Sequence, residues 1–262
     1  MIGKIGTLYL VPNLLDDRSP PEAALPASAL ARIRLLRHFV VEGEKAAWRL
    51  LSKVLDAEAA REASVERLDE HTPPDALPAL LGPLEAGEDL GLLSEAGLPC
   101  IADPGSALVA LAHERGARIA PLVGPSSILL ALAASGLDGQ RFSFLGYLPQ
   151  EAAARRAALE RIDRGIRSDG ATRIFIETPY RNGRLLEDCL ACLSPGTRLC
   201  VAASLTAPEE TIRSAPVSEW RQRPWSPGKV PAVFLAGRVP GTSLDRAPFE
   251  GHSEVVCKNR KP

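Results

Sequence analysis

The chain has 262 residues, of which 45% are hydrophobic and 24% are charged, and its formal net charge is -1. A chain of this length can bury a large core and is expected to form one or two domains. Its near-neutral charge predicts no general attraction to nucleic acid or to an anionic membrane, although a local basic patch is compatible with it. No apolar run reaches the ~18 residues of a membrane span, and the first residues do not have the layout of a signal peptide.

The cysteines and histidines predict neither a disulfide framework nor a metal site. Five cysteines is an odd number, and their spacing suggests no set of pairs, which favours reduced thiols in a cytoplasmic protein. Cys189 and Cys192 form a C-x-x-C inside a helical pattern. We interpret them as two buried helix thiols, because no second cysteine pair or nearby histidine completes a zinc site.

Short apolar runs beside turn residues predict strands in the first half of the chain, and segments of helical length lie between them. The predicted strands cover residues 7–11, 39–41, 90–93 and 118–123. The predicted helices cover residues 27–36, 45–55, 76–84 and 107–115. This alternation predicts a doubly wound parallel sheet.

The second half continues the alternation and then changes. Its predicted strands cover residues 142–145, 172–176 and 199–203. Its predicted helices cover residues 128–134, 152–166 and 184–193. Residues 211–213 and 230–235 then predict two strands joined by a loop without a helix, which favours antiparallel pairing in a mixed sheet.

These elements predict an α/β fold of two domains, an N-terminal domain 1–125 and a C-terminal domain 126–238 with the mixed sheet. Domains that meet in this way form a cleft, which is a common place for ligands. Residues 239–262 are polar and irregular, and we expect them to form a mobile tail.

The most informative segment is the loop 94–105, which follows the apolar strand 90–93. It is rich in Gly and Pro and carries no Lys or Arg, and ligands of parallel sheets bind where strands end. We therefore expect it to approach a small organic ligand through backbone and apolar groups. Asp103 precedes a proline, which is typical of a helix N-cap, and a cap residue can also line a site. Glu95 is expected at the carboxyl edge, where it shapes the site or pairs with a base.

Two further segments place turns at strand ends. In residues 124–127, a serine caps the next helix, or the free N–H groups of that helix hold a polar ligand atom. In residues 175–182, a strand ends at Glu177, Thr178 can cap the next helix, and Arg181 projects near the domain junction. A capped helix with a surface arginine is the alternative interpretation of that second segment.

Five arginines lie on one predicted helix: Arg155, Arg156, Arg161, Arg164 and Arg167. A solvated helix face is the default interpretation of these arginines, and a basic patch that faces RNA is the more specific alternative. No G-x-G-x-x-G, P-loop or nucleophile elbow is present, so dinucleotide, P-loop and serine-hydrolase chemistry are not indicated.

Six short motifs, in this order, resemble the tetrapyrrole methylase superfamily of S-adenosylmethionine-dependent methyltransferases. They lie at residues 6–11, 94–105, 121–127, 134–136, 144–149 and 177–181. Each motif is weak alone, but six in order at compatible spacings are specific, and the resemblance runs from Gly6 to about Ala236. The most similar branch methylates a cytidine 2′-hydroxyl of small-subunit ribosomal RNA.

This resemblance implies two α/β domains with S-adenosylmethionine between them, S-adenosylhomocysteine as the product, and a homodimer. It implies a role in cofactor binding for Leu14, Glu95, Ala96, Gly97, Pro99, Asp103, Ser127, Ile128, Ile176, Ala203 and Pro231. No metal is required, because the cofactor itself carries the activated methyl group.

A ribose hydroxyl is a poor nucleophile, so a nearby base or hydrogen-bond acceptor is expected to assist methyl transfer to it. Glu42 and Glu177 are the candidates for this role, and His71 is a further one. Arg181 is expected to hold a phosphate.

Two segments depart from that branch and identify the chain as a divergent member of it. Residues 11–15 form a shortened first loop without the usual Gly, and residues 41–45 keep Glu42 but lack an Asp-Thr-Arg run. Both segments lie on the substrate side in the family. Three functions therefore stay open: methyl transfer to RNA, methyl transfer to a small tetrapyrrole-like molecule, and cofactor binding with little or no activity.

Overall fold

The computed structural model describes residues 5–223 and 225–241, and within them ten strands form two five-stranded sheets. The strands of the first sheet are Thr7–Val11 (β1), His38–Val41 (β2), Ser64–Arg67 (β3), Leu90–Leu93 (β4) and Arg118–Pro121 (β5). Their order in the sheet is β3-β2-β4-β1-β5, and all the pairings are parallel. The predicted doubly wound parallel sheet is thereby confirmed.

Helices cover both faces of the first sheet. Successive residues of a strand point to opposite faces, so each strand contributes side chains to two cores. These helices are Ala27–Leu35 (α1), Glu44–Val54 (α2), Ala57–Glu62 (α3), Leu77–Leu80 (α4), Gly82–Glu85 (α5) and Ser106–Glu114 (α6). In β1, Tyr9 and Val11 join a core with α1 and α2, whereas Leu8 joins a core with α5 and α6 on the other face. All four residues of β4 are buried, as expected of a central strand.

The second sheet is mixed, as predicted. Its strands are Phe142–Tyr147 (β6), Thr172–Glu177 (β7), Arg198–Ala203 (β8), Thr211–Pro216 (β9) and Ala232–Gly237 (β10). Their order is β6-β7-β10-β8-β9; β6 and β7 are parallel, and the other pairings are antiparallel. All six residues of the central strand β10 are buried.

Four helices cover the second sheet: Ser127–Ser135 (α7), Ala152–Asp169 (α8), Asn182–Cys192 (α9) and Val217–Gln222 (α10). Helix α7 packs on one face through Ile128 and Leu132, and α8, α9 and α10 pack on the other through residues such as Leu159 and Trp220. Ser126 caps α7, as predicted, because its Oγ accepts a hydrogen bond from the Leu129 N–H at 3.5 Å.

The largest error in the predicted elements concerns the end of the second sheet. The segment between β9 and β10 contains the helix α10, which the sequence did not reveal because only six residues form it. Trp220 of this helix is fully buried, and its Nε1 donates to the Leu199 carbonyl at 2.9 Å. A single buried Trp thus fixes a helix too short to show helical periodicity.

Two smaller differences lie in the first half. Helix α3 and strand β3 were not predicted, because the segment is polar and β3 is an edge strand with its last two residues exposed. The predicted helix 76–84 is instead a 3₁₀ turn, Pro74–Ala76, followed by the short helices α4 and α5. Pro83 lacks an N–H group and therefore cannot continue a helix from α4.

The structure also tests the interpretations of the two cysteines in α9 and of the arginines in α8. Cys189 on α9 is buried, as predicted, but Cys192 is only half-buried. Four of the five arginines of α8 are exposed, as the solvated-face interpretation predicts. Arg155 is the exception, because it is 7% exposed and donates to Asp188 Oδ2 at 2.8 Å. Arg156 donates to the other oxygen of the same carboxylate at 2.7 Å.

The structure describes the predicted tail 239–262 only as far as residue 241, and the rest of that prediction lies outside the described residues. No helix within the described ranges is both long and apolar enough to span a bilayer.

Candidate active site

A cleft of about 1310 Å³ lies where strands of the two sheets end. The segments that follow β1, β2, β3 and β4 line one side, and the ends of β6, β7 and β8 with the start of β10 line the other. Its volume exceeds the ~300–1,000 Å³ typical of a pocket for one small ligand, so the cleft has room for two reactants.

Asn13 fixes the wall that the first loop and the loop 94–105 form together. Its buried side-chain Nδ2 donates to the carbonyls of Ser94 and Glu95, at 3.0 Å each. Its backbone N–H donates to the Gly97 carbonyl at 2.8 Å, and the Gly97 N–H donates back at 3.1 Å. Sequence reasoning did not single out Asn13, because its partners lie more than 80 residues away in the chain.

Gly97 is required by this arrangement for two reasons. Its φ of +74° lies in the left-handed region that L-residues rarely adopt. A Cβ on it would also stand 3.3 Å from Leu15 and 3.4 Å from the Pro125 carbonyl oxygen. The left-handed backbone is therefore the main reason for glycine at residue 97, and the close contact with Leu15 adds to it.

Three carboxylates meet at this wall: Glu42 after β2, and Glu95 and Asp103 in the loop after β4. We call them the acid cluster. Glu42 Oε2 accepts a hydrogen bond from the Glu95 N–H at 3.1 Å. Glu95 lies against Gly43, where a Cβ would stand only 2.5 Å from the Glu95 Oε1.

The acid cluster changes how readily its members ionise. Burial raises the pKa of Asp103 to about 7, with further contributions from the negative charges of Glu42 and Glu95 against an opposing hydrogen bond with Ser94. Burial also raises the pKa of Glu42, against an opposing hydrogen bond from the Glu95 backbone. Near neutral pH, Asp103 is therefore able both to accept and to release a proton.

The predicted N-cap role of Asp103 is wrong. Helix α6 begins at Ser106, and its N-cap is Gly105, with a φ of 128°. A Cβ at Gly105 would stand 2.9 Å from the Leu92 side chain and 3.1 Å from Cys100 Sγ. The close approach to β4 thus needs glycine immediately before the helix, and Asp103 is left to line the cleft.

On the opposite side, Glu177 at the end of β7 is held by a dense set of hydrogen bonds. Its side chain is 1% exposed. Its Oε1 accepts from the Nε and Nη2 of Arg181, at 2.9 and 2.6 Å, and from the Thr178 N–H at 2.6 Å. The predicted capping hydrogen bond of Thr178 is absent, because its side chain accepts none from the helical turn that follows. This ion pair uses the Nε and Nη2 of Arg181 and fixes the Glu177 carboxylate.

Tyr147 is a cleft residue that the sequence analysis missed. Gly146 has a φ of +67°, and the register of β6 against β7 shifts between Phe144 and Tyr147. Such a bulge re-aims the next side chain, and Tyr147 lines the cleft. Burial and the negative charges of Asp103, Glu177 and Glu42 raise the pKa of its hydroxyl, which stays protonated at neutral pH.

An ion pair crosses from one side of the cleft to the other. Arg18, in the loop after β1, donates from Nη1 and Nη2 to the two carboxylate oxygens of Glu209 at 2.8 and 2.6 Å. Glu209 lies in the loop between β8 and β9, in which Ser204 and Thr206 have positive φ values of 51° and 68°. No local sequence signal reveals this pair, because 191 residues separate its members.

Most predicted site residues come together at this cleft. Those that line it are Leu14, Glu42, Glu95, Ala96, Asp103, Ser127, Ile176, Glu177 and Pro231. His71 also lines it, with its side chain 82% exposed. Gly97, Pro99, Ile128 and Ala203 are buried and do not line the cleft. Arg181 does not line the cleft, and its guanidinium pairs with Glu177.

The fold and this cleft define a class of methyltransferases. The chain matches the family model of tetrapyrrole (corrin/porphyrin) methylases over residues 24–220 and belongs to this family. It is therefore an S-adenosylmethionine-dependent methyltransferase.

Solved structures share the fold: the methyltransferase CobJ has a TM-score of 0.59 at 19% identity, with 89% of this chain and 94% of the other covered. The cobalt precorrin-4 methyltransferase CbiF has a TM-score of 0.53 at 13% identity, with coverage of 88% and 94%.

Curated relatives are more specific about the branch. The ribosomal RNA small subunit methyltransferase I of Pseudomonas aeruginosa is 35% identical over 225 residues, which is 82% of this chain and 71% of that protein. The protein of the same name from Escherichia coli O157:H7 is 39% identical over 218 residues, which is 82% of this chain and 70% of that protein. The chain thus lies in the branch that the resemblance indicated.

Proposed function

We propose that this protein transfers a methyl group from S-adenosylmethionine to a ribose 2′-hydroxyl of small-subunit ribosomal RNA. The observation that carries the proposal is the acid cluster at the wall of the cleft. Carboxylates there suit a positively charged methyl donor, and one with a pKa near 7 suits the proton of a hydroxyl acceptor. The relatives named ribosomal RNA small subunit methyltransferase I support RNA as the acceptor class.

The residues of the cleft fit the cofactor. The small and apolar side chains of Ala96, Ile176 and Pro231 offer contact surface for an adenosine, and Ser127 lies at the start of α7, where backbone N–H groups are free. Glu95 and the rest of the acid cluster complement a sulfonium and an ammonium group. When bound, S-adenosylmethionine supplies an electrophilic methyl group on a positively charged sulfur.

In this proposal, the chain positions the acceptor and removes its proton. The carboxylate of Asp103 accepts the proton that the 2′-hydroxyl gives up as its oxygen is methylated, and Glu42 is the alternative acceptor on the same wall. Glu177, fixed by Arg181, lies across the cleft and helps to orient the acceptor. The walls that Asn13 and Arg18 hold in place limit the access of water, which favours transfer over side reactions.

We also propose a cytoplasmic homodimer built from two domains, 1–125 and 126–238. Val123, Leu129 and Leu130, close together in the chain, are 73%, 49% and 39% exposed, and a second copy of the chain would cover such an apolar surface. The four cysteines within the described residues are free thiols, as is usual in a reducing compartment. Sedimentation velocity of wild-type and Leu129→Asp protein tests the dimer, which the charge should dissociate.

The acceptor is tested with small ribosomal subunits from an Escherichia coli strain that lacks its own relative of this protein. Wild-type protein and labelled S-adenosylmethionine should give one 2′-O-methylated nucleoside, identified by mass spectrometry after nuclease digestion. Asp103→Ala protein should give little product even at a cofactor concentration that saturates it. Absence of labelled RNA with wild-type protein, or a label on a base, would overturn the proposed function.

A further inference from the structure

Two of the chain's three tyrosines are exposed, and both lie at the same edge of the second sheet. Tyr147 ends β6 and is 57% exposed, and Tyr180 follows β7 and is 80% exposed. Strands β6 and β7 are parallel neighbours, so their carboxyl ends lie side by side. The positive charge of Arg181, next to Tyr180 in the chain, also acts on the hydroxyl of Tyr147. The rim of the cleft therefore presents two aromatic rings to solvent.

Tyr180 is part of a built arrangement with a cation. The Lys229 ammonium lies 5.7 Å from the centre of the Tyr180 ring. The buried side chain of Asn182 donates to the carbonyls of Gly228 and Val230, at 3.3 and 2.7 Å. These two carbonyls flank Lys229, so Asn182 holds the segment that places the ammonium beside the ring.

The position of Tyr147 connects this rim to the chemistry of the cleft. Tyr147 lines the cleft, and the charges of Asp103, Glu177 and Glu42 raise the pKa of its hydroxyl. A nucleotide whose ribose reaches the acid cluster therefore passes the Tyr147 ring. The acid cluster repels phosphate, so a nucleic acid needs a cation at the rim rather than inside the cleft. Lys229 is exposed and meets that need.

We propose that Tyr147 and Tyr180 form a stacking platform for unpaired nucleotides of the RNA acceptor, with Lys229 binding the adjacent phosphate. This inference rests on the proposed function and specifies its substrate as a single-stranded or looped segment. Unpaired bases stack on aromatic side chains, whereas bases in an A-form helix are closed to such contacts. Every base has a π face, so this platform supplies affinity and leaves sequence choice to other contacts.

Binding to RNA is measured apart from methyl transfer, with a fluorescein-labelled single-stranded oligoribonucleotide and its duplex as probes. Wild-type protein should bind the single strand more tightly than the duplex. Tyr147→Ala and Tyr180→Ala should each weaken single-strand binding by roughly 5- to 150-fold, which corresponds to the loss of one stacked base. Tyr147→Phe and Tyr180→Phe keep the ring and should bind like wild type.

The cation is tested by the dependence of binding on salt. Lys229→Ala should lower the slope of log affinity against log salt by about 0.7, the value for one phosphate contact on a single strand. Phe142→Ala is the matched control, because Phe142 is an aromatic residue 43% exposed at the opposite end of the same strand as Tyr147. It should change neither the affinity nor the slope. The affinity for S-adenosylmethionine, measured by calorimetry, should be the same in wild type and in the Tyr180→Ala, Lys229→Ala and Phe142→Ala variants, whose changed residues do not line the cleft.

The outcomes separate this inference from the proposed function. If wild-type protein methylates RNA but both alanine variants bind the single strand like wild type, the platform is refuted while the function stands. If the phenylalanine variants lose as much as the alanine variants, the hydroxyls act instead and stacking is refuted. If wild-type protein methylates a tetrapyrrole such as uroporphyrinogen and not RNA, both the function and the platform fall.

Discussion

The protonation of Asp103 gives a quantitative prediction for the variant Asp103→Asn. The pKa of Asp103 lies at about 7, against an ordinary value of 3.8. In the folded chain the carboxyl group is therefore stabilised in its neutral form, and ionising it costs stability. A difference of about three pH units corresponds to roughly 4 kcal/mol at about 1.4 kcal/mol per unit. Because the side chain keeps partial contact with water, we expect about half of this, roughly 2 kcal/mol.

The direction of the pH dependence follows from linkage. Well below pH 3.8, Asp103 is protonated in both the folded and the unfolded chain, and the wild type and the variant should have equal stability. As the pH rises from 4 through 7, the unfolded chain ionises first and the wild type loses stability. At pH 8, Asp103→Asn should therefore unfold at a higher urea concentration, with a free energy of unfolding larger by about 2 kcal/mol.

Urea denaturation at pH 4.5 and pH 8, in the absence of cofactor, measures this difference. Asp75→Asn is the matched control, because Asp75 is exposed and outside the cleft, and it should leave the stability unchanged at both pH values. A difference between Asp103→Asn and wild type that is zero at pH 8, or that stays constant between the two pH values, would refute the reasoning.

Three other changes probe the walls of the cleft. Gly97→Ala forces a left-handed residue against Leu15, and it should weaken S-adenosylmethionine binding in calorimetry by about tenfold, with less effect on unfolding. Arg181→Met leaves the buried Glu177 carboxylate without its partner and should lower the free energy of unfolding by about 2 kcal/mol, which Glu177→Gln in the same chain should partly restore. If the single variant unfolds like wild type, Arg181 does not fix Glu177. Glu209→Ala removes the exposed ion pair with Arg18 and keeps the one between Arg18 and Asp16, so the urea midpoint should hardly change, whereas cofactor release in stopped-flow measurements should accelerate a few-fold. An unchanged release rate would show that this pair does not close the cleft.

The sequence predicts those parts of the fold that depend on strong local patterns. Strands β1 and β4 have the predicted bounds, since each is a short apolar run between turn residues. Strand β3 was missed because an edge strand buries too little to require apolar residues. Helix α10 was missed because one buried Trp fixes it through tertiary packing.

The candidate site divides in a similar way. Residues that end strands, such as Glu42 and Glu177, could be found because the carboxyl ends of parallel strands meet at one edge. The hydrogen bond from the Glu95 N–H to Glu42 joins residues 53 positions apart, and no single-chain pattern reports such a contact. The place of Tyr147 depends on a bulge at Gly146, which the strand pattern does not reveal.

The central claim is that S-adenosylmethionine binds in the cleft where the strands of the two sheets end. Isothermal titration calorimetry with Ala96→Trp tests it most directly, because Ala96 is exposed and lines the cleft, and a Trp there would fill it. Ala110→Trp is the control, at an exposed position of α6 outside the cleft lining. Wild-type and Ala110→Trp protein should bind one cofactor per chain, and Ala96→Trp should bind none. Equal binding by all three proteins, or no binding by wild type, would contradict the account.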